Sequence, residues 1–380
     1  MTEQIITNAK VILADEVIKG TLHVEDSIIK SVDGGISSIA GAIDLEGAYL
    51  APGLVELHTD NLERHMQPRP SVKWPLQAAV MAHDAELAGV GITTVFDAMR
   101  VGSIPGDQRA KYDKYARPVV DHILKLRSQG ALRISHFLHL RAEICTQTLP
   151  EELDEFTEAD RIGIVSLMDH TPGQRQFRDL KKLDEYLAGK HGMERAALDA
   201  HYQNLYRLQR EFGEAHQKAA VAGGRRLGAV LASHDDTTVD EVAKSTEIGV
   251  SLAEFPTTLE AARASHKAGL AVIMGAPNLL RGGSHSGNVA ASELVHHGLL
   301  DILSSDYAPA SLLMGAVRNG LESGRMEEGL RLVTKNPAEA VGLKDRGAIE
   351  IGRRADFVVF DLVEDLPSVK QTWVQGRRAA

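Results

Sequence analysis

The chain has 380 residues, more than one minimal domain needs and enough for a barrel of roughly 250 residues with a small accessory layer. Hydrophobic residues make up 43% and charged residues 25%, an ordinary globular balance that excludes disordered and fibrous classes. A formal net charge of -10 excludes the basic footprint of a non-specific nucleic-acid binder, yet a few local arginines can still hold an anionic small molecule.

Residues 1–50 read as short strands with turn punctuation: QIITNAKVIL, GTLHVEDSIIKSV and AIDLEGAYLAPG alternate apolar and polar positions between Asn, Gly and Asp. Residues 345–380 have the same texture in GAIEIGRRADFVVFDL and SVKQTWVQGRR, so the two ends are expected to build one small β-sandwich. Between them, residues 51–344 carry eight apolar runs of strand length: LAPGLVELH, GITTVFDAM, RISHFLHLR, GIVSLMD, LGAVLASH, VSLAEF, AVIMGA and DILSSD. Helix-compatible stretches separate most of them, the pattern of parallel strands buried on both faces. This predicts a distorted (β/α)8 barrel. A doubly wound open sheet is the alternative, weakened by the lack of a GxGxxG turn after an early strand. Residues 171–225 form a long, charged, helix-favouring insertion, read as two helices over the barrel mouth or as a surface addition.

Cys145 is the single cysteine, so neither an internal disulfide nor a cysteine-ligated zinc finger can form. No basic n-region precedes an apolar one, and no run reaches about 18 apolar residues; the expectation is a cytoplasmic protein with no membrane or nucleic-acid partner.

Nearly every apolar run ends in an ionisable residue, and in a barrel the C-terminal strand ends converge on one place. The first run ends His58-Thr59-Asp60, with two potential ligands on one strand face. The third continues through His139 and Arg141 to Glu143, the fourth ends Asp169-His170, and the fifth ends His234-Asp235. Imidazole nitrogen and carboxylate oxygen suit zinc, manganese or iron where no thiolate is offered. Each histidine alone could be a strand-end residue satisfied by a carbonyl; several at independent strand ends favour a metal. His139 and Asp169 are expected to orient ligands rather than to touch the ion. Asp306, ending the eighth run, is the expected general base, with a helix cap as its plainer reading. After the seventh run, GAPNLLRGGSHSGN offers Arg281, Ser284, His285 and Asn288 on a glycine-rich segment that can approach phosphate oxygens. Arg141 and Arg175 add positive charge near other strand ends. This bias toward arginine suggests an anionic substrate.

The segment APGLVELH, the strand-end ligands, Asp306 and the closing GAIEIGRRADFV resemble the metal-dependent amidohydrolase superfamily over nearly the whole chain. More narrowly, ELHTDNLERHMQPRP, SLMDHTPGQRQF, LASHDD, AEFPTT, MGAPNLLRGGSHSGNVAASEL and LSSDYAPASLL resemble its phosphonate-operon diphosphatase branch. That resemblance implies hydrolysis of α-D-ribose 1-methylphosphonate 5-triphosphate to the 5-phosphate and pyrophosphate, preparing the substrate of carbon-phosphorus lyase. It implies one or two divalent ions, zinc first and manganese or iron as alternatives, held by His58, Asp60, Glu143, His170 and His234. Glu143 resembles a bridging carboxylate, and His170 and His234 the paired histidines. The superfamily usually has His-x-His on the first strand; here Asp60 takes the second place. A homo-oligomer is compatible with the sequence. The rival readings are a cyclic-amide or N-acyl hydrolase on the same fold, and a non-catalytic subunit of a phosphonate-processing assembly.

Overall fold

The computed structural model describes residues 3–105, 114–177, 183, 195–284 and 286–380. Alternating apolar and polar residues give the strands β1 (Glu3–Ile12), β2 (Val17–Glu25), β3 (Ile28–Gly34), β4 (Ile43–Asp44) and β5 (Tyr49–Pro52). At the other end of the chain lie β14 (Phe357–Val363), β15 (Leu366–Val374) and β16 (Arg377–Arg378). β14 pairs antiparallel with β5, which joins the two ends in one sheet of order β16-β15-β14-β5-β1-β2-β3, with β4 beside β1. The sheet closes back on itself where Ile29 N–H donates to Arg353 O and Ala355 N–H donates to Ser27 O. Ile6, Val24, Leu50, Phe357 and Trp373 fill its core.

The eight apolar runs become eight parallel strands: β6 (Leu54–Thr59), β7 (Ile92–Val101), β8 (Ser135–Glu143), β9 (Ile162–Met168), β10 (Val230–His234), β11 (Leu252–Glu254), β12 (Ala271–Gly275) and β13 (Ile302–Ser304). They pair in chain order from β6 to β13, as the barrel reading requires. The first run splits at Gly53, where a Cβ would collide with the Thr93 side chain; the residues before it belong to the terminal sheet.

Every strand sends at least one side chain into a common interior layer: Val55 and Leu57, Phe96, Phe137, Ile164, Ala232, Leu252, Ile273 and Ile302. Strand side chains alternate, so the residue two places on shares that interior face one storey nearer the C-terminal mouth. On five strands this storey holds His139, Ser166, His234, Glu254 and Ser304. The apolar layer is therefore the floor of a polar one.

β6 and β13 meet without a continuous ladder. Low in this seam the segment between the helices Met326–Arg331 and Lys335–Ala340 is wedged in, taking Val55 N–H on Val333 O and Leu303 N–H on Leu332 O. High in it, Asp60 N–H donates to Asp306 O and Asp306 N–H to His58 O.

Of the insertion, the helix Arg195–Arg226 is described and its preceding residues mostly lie outside the described set. Its 32 residues span about 48 Å at 1.5 Å per residue, far longer than the strands β9 and β10 that it connects. The C-terminal half packs on the barrel wall, where a Cβ at Gly224 would collide with Leu231. The N-terminal half runs past the strand ends, where Leu205 and Leu208 pack on Ile104.

Candidate metal centre

β11 supplies the residue around which the polar storey is organised. Glu254 is buried; its Oε1 lies 3.1 Å from His58 Nδ1 and its Oε2 3.3 Å from His234 Nδ1. Ser166 Oγ donates to Oε2 at 2.6 Å, and His139 Nε2 lies 3.8 Å from Oε1. Burial works against the charge of Glu254, yet His139, His58 and His234 around it hold its carboxyl well below the usual range. The imidazoles crowd one another: ring centres of His58 lie 4.8 Å from His139 and 5.5 Å from His234, and His234 lies 6.0 Å from His170.

His58 comes one residue after Leu57, out of step with simple alternation. The β6–β7 ladder breaks register between Glu56 and Thr59, and that irregularity turns His58 into the storey occupied by His139 and His234. Three strand ends, those of β10, β11 and β13, leave their strands through left-handed backbone, at Asp235 (φ 58°), Phe255 (φ 54°) and Asp306 (φ 53°). Such conformations are costly for residues with a side chain and cluster at functional sites.

The donor set fits a divalent cation. His139 Nδ1 lies 2.8 Å from Leu57 O, and a carbonyl only accepts, so the ring proton sits on Nδ1. The lone pair on Nε2 then faces the cluster, buried and without a hydrogen-bond partner among the described residues. Burial drives the His139 pKa down to about 4, so the ring is neutral. A bare nitrogen lone pair beside a carboxylate oxygen is two acceptors facing each other, and a cation satisfies both. Two groups of residues have ligand atoms close enough to share an ion: His58, His139 and Glu254, and beside them His170, His234 and Asp235. Cys145 offers no thiolate: its Sγ lies 3.2 Å from Asp169 and 3.3 Å from Thr171, and burial pushes the thiol up.

Most of the residues expected from the sequence converge here, though with different duties. Asp60 Oδ1 lies 4.0 Å from His58 Nε2 and accepts a 2.7 Å bond from Arg141. Glu143 Oε2 lies 2.8 Å from His170 Nδ1, a contact that orients the ring from behind. The burial of His170 opposes protonation, but the Glu143 carboxylate reverses the balance and raises its pKa. Asp306 is raised to about 6, by burial first and then by the nearby Asp60 charge. Asp169 accepts from the Thr171 amide and the Cys145 thiol. Arg175 donates to His234 O and to Asp236, bracing the end of β10. Arg281 ends the short helix after β12 and is exposed; Ser284 Oγ accepts from Ser286 N–H, and Asn288 donates to Gln176 O. His285 lies outside the described residues.

Reading the strand ends gave no role to Asp235 and missed Glu254 altogether. The sixth run closes on Phe255 and Pro256, which hides the carboxylate one place earlier. Its spacing was the available signal, since Glu254 follows Leu252 as His234 follows Ala232.

A barrel with a histidine and carboxylate centre at its C-terminal mouth, beside a sheet built from both chain ends, defines a class of metal-dependent hydrolases. A model of the amidohydrolase family matches residues 150–380, and the chain belongs to that family. It is 43% identical over 379 residues to the alpha-D-ribose 1-methylphosphonate 5-triphosphate diphosphatase of Escherichia coli (strain K12), covering 98% of this chain and 99% of that protein. It is also 23% identical to an adenine deaminase of Ligilactobacillus salivarius over 98% of this chain but 57% of that enzyme. Among solved structures, N-acetyl-D-glucosamine-6-phosphate deacetylase from Mycobacterium smegmatis shares the fold, with a TM-score of 0.64, 18% identity, and coverage of 99% and 100%.

Proposed function

We propose that this chain hydrolyses the α–β phosphoanhydride of α-D-ribose 1-methylphosphonate 5-triphosphate, releasing the 5-phosphate and pyrophosphate, in phosphonate breakdown by the carbon-phosphorus lyase route. The observation that carries this reading is the 43% identity that extends over nearly the full length of both this chain and the E. coli diphosphatase. One or two divalent ions, zinc first and manganese or iron as alternatives, would be held by His58, His139, Glu254, His170, His234 and Asp235. An ion held there would supply Lewis acidity, making water a better nucleophile near neutrality and offsetting charge on phosphate oxygens. Asp306 accepts a proton from the attacking water. Arg141, released from Asp60 or sharing it, meets the phosphate chain above His139. Arg281, Ser284, His285 and Asn288 on the glycine-rich segment receive the leaving pyrophosphate. Asp60 and Glu143 keep His58 and His170 in place or join the ligand set.

The test is product analysis on metal-supplemented protein. One pyrophosphate per ribosyl triphosphate consumed is expected, with no ammonia from adenine and no ring opening of a cyclic amide. Ammonia or ring opening without pyrophosphate would sink the reading in favour of amide chemistry. Protein that binds no zinc or manganese and turns nothing over would favour a non-catalytic subunit.

A further inference from the structure

Between the wedged segment at Leu332–Val333 and the bridge at Thr59–Asp306, side chains cross the seam of the barrel, and Glu56 is the one that holds a backbone amide on each side. Glu56 is fully buried on β6; its Oε1 accepts His58 N–H at 2.7 Å and its Oε2 accepts Ser305 N–H at 2.6 Å. The first bond fixes the backbone of His58, and the second fixes the residue before Asp306. The carboxylate thus does what a ladder of main-chain bonds does between the other strands.

We propose that Glu56 is a positioning residue for hydrolysis, a carboxylate bridge that sets the distance between the metal-holding end of β6 and the Asp306 end of β13. It touches neither substrate nor metal in this role. The neighbouring contacts point the same way: Ser304 Oγ donates to His58 O at 2.6 Å and Thr59 Oγ1 donates to Asp306 O at 2.8 Å, so the two strand ends are also tied to each other directly. The backbone at Asp306 is left-handed, so it does not continue the strand and needs such ties to hold its side chain. A carboxylate is suited to the position because it offers two acceptors to two N–H donors. An amide of the same shape offers one acceptor, and its NH2 group faces the second N–H.

The inference uses the function proposed above only in placing His58 and Asp306 at one reacting centre. Glu56→Gln is the test variant, read in three ways on the full chain. Hydrogen exchange of the metal-free protein should quicken in peptides covering 54–60 and 302–307 and stay unchanged in β9 and β10. Zinc affinity, measured by competition with a chromophoric chelator, should fall about three- to thirtyfold. At saturating zinc, kcat for pyrophosphate release should fall about ten- to a hundredfold with KM within about twofold, the pattern for a misplaced catalytic group. Folded Glu56→Gln protein with wild-type kcat and zinc affinity would overturn the proposal, even if its melting temperature had dropped. Should Glu56→Gln fail to fold, Glu56→Asp takes its place: it keeps the charge but is too short to reach both amides, and the same losses are expected. If neither variant folds, Glu56 is a folding determinant and the positioning role is rejected. Wild-type protein that releases no pyrophosphate would sink the function, while the exchange and zinc arms would still judge the bridge.

Discussion

Histidines and carboxylates are buried on both sides of the same barrel wall, and the two groups are finished differently. On the outer side, Asp97 of β7 and His136 of β8 face the helix Leu76–Gly89, which supplies His83 and Asp84. There His83 Nε2 lies 2.8 Å from Asp97, His136 Nδ1 2.7 Å from Asp97, and His136 Nε2 3.2 Å from Asp84. His83 Nδ1 accepts from Asn61 at 3.0 Å, and Asp84 also takes the backbone amides of Arg133 and Ile134. Two carboxylates serve two imidazoles, and each ring nitrogen has a partner. On the inner side Glu254 faces His58, His139 and His234, with Asp60 and Asp235 near the other nitrogens of His58 and His234, and among the described residues His139 Nε2 has no partner. Protons close the charge balance of the outer group; the inner group needs a cation. Saturation, rather than residue type, separates a structural network from a metal site.

The largest effect should come from the inner group. His139→Ala and Glu254→Gln should each lower zinc affinity by more than the ~10–100-fold typical of an outer partner, with activity lost in parallel. Metal analysis after dialysis checks this, and full occupancy in either variant would remove that residue from the ligand set. Asp306→Asn should keep most of the metal yet lose about two or more decades of kcat, the usual scale for a general base. Near-normal turnover would leave Asp306 as a backbone tie between β6 and β13.

Charge recognition should weigh less. Arg141 lies one storey above His139 and bonds Asp60, so Arg141→Ala should lower kcat/KM for the triphosphate by about one to two decades, from roughly 1.5–3 kcal/mol of charge-assisted bonding. Arg281→Ala, at an exposed helix end, should cost about tenfold or less under the same reasoning. Both losses should shrink on a diphosphate substrate. An equal loss on either chain length would assign these arginines to folding instead.

Much of the inner centre was legible because barrel topology converts strand ends into neighbours, and His58, Asp60, Glu143, His170, His234 and Asp306 all stand at such ends. The (β/α)8 reading rested on the same eight runs. What escaped was whatever depends on a side chain's final partner. Asp169 and His170 are adjacent in sequence, but β9 stops at Met168 and the turn draws the Asp169 carboxylate onto Thr171 and Cys145. His139 was read as a support, and its orientation became visible only once Leu57 O was found on its other nitrogen. The outer group gave no signal at the C-terminal strand ends, since His83 lies mid-helix, Asp97 mid-strand and His136 at the start of β8.

That outer group yields the smallest effect on catalysis and the sharpest contrast. Burial opposes a charge on His136, but Asp97 and Asp84 override it and raise its pKa to about 9, so the ring is cationic in the folded protein at neutral pH. A base whose folded pKa exceeds its unfolded value near 6.5 contributes its full stabilisation below about pH 6.5 and loses it as pH climbs through about 9. The difference amounts to about 3 to 4 kcal/mol at most, at 1.36 kcal/mol per pKa unit. His83 works in the other direction, its pKa lowered mainly by burial, but its influence falls below pH 6.5 and outside this window. Urea unfolding of zinc-loaded wild type and His136→Gln between pH 6.5 and 9.5 isolates the residue. The stability gap should narrow steadily as pH rises, while zinc content and kcat of the folded variant stay within about twofold of wild type. A gap that is flat across the window would mean that His136 is neutral between its two aspartates. A fall in zinc content would mean that the two sides of the wall are coupled, and the contrast between a proton-closed network and a cation-closed one would fail.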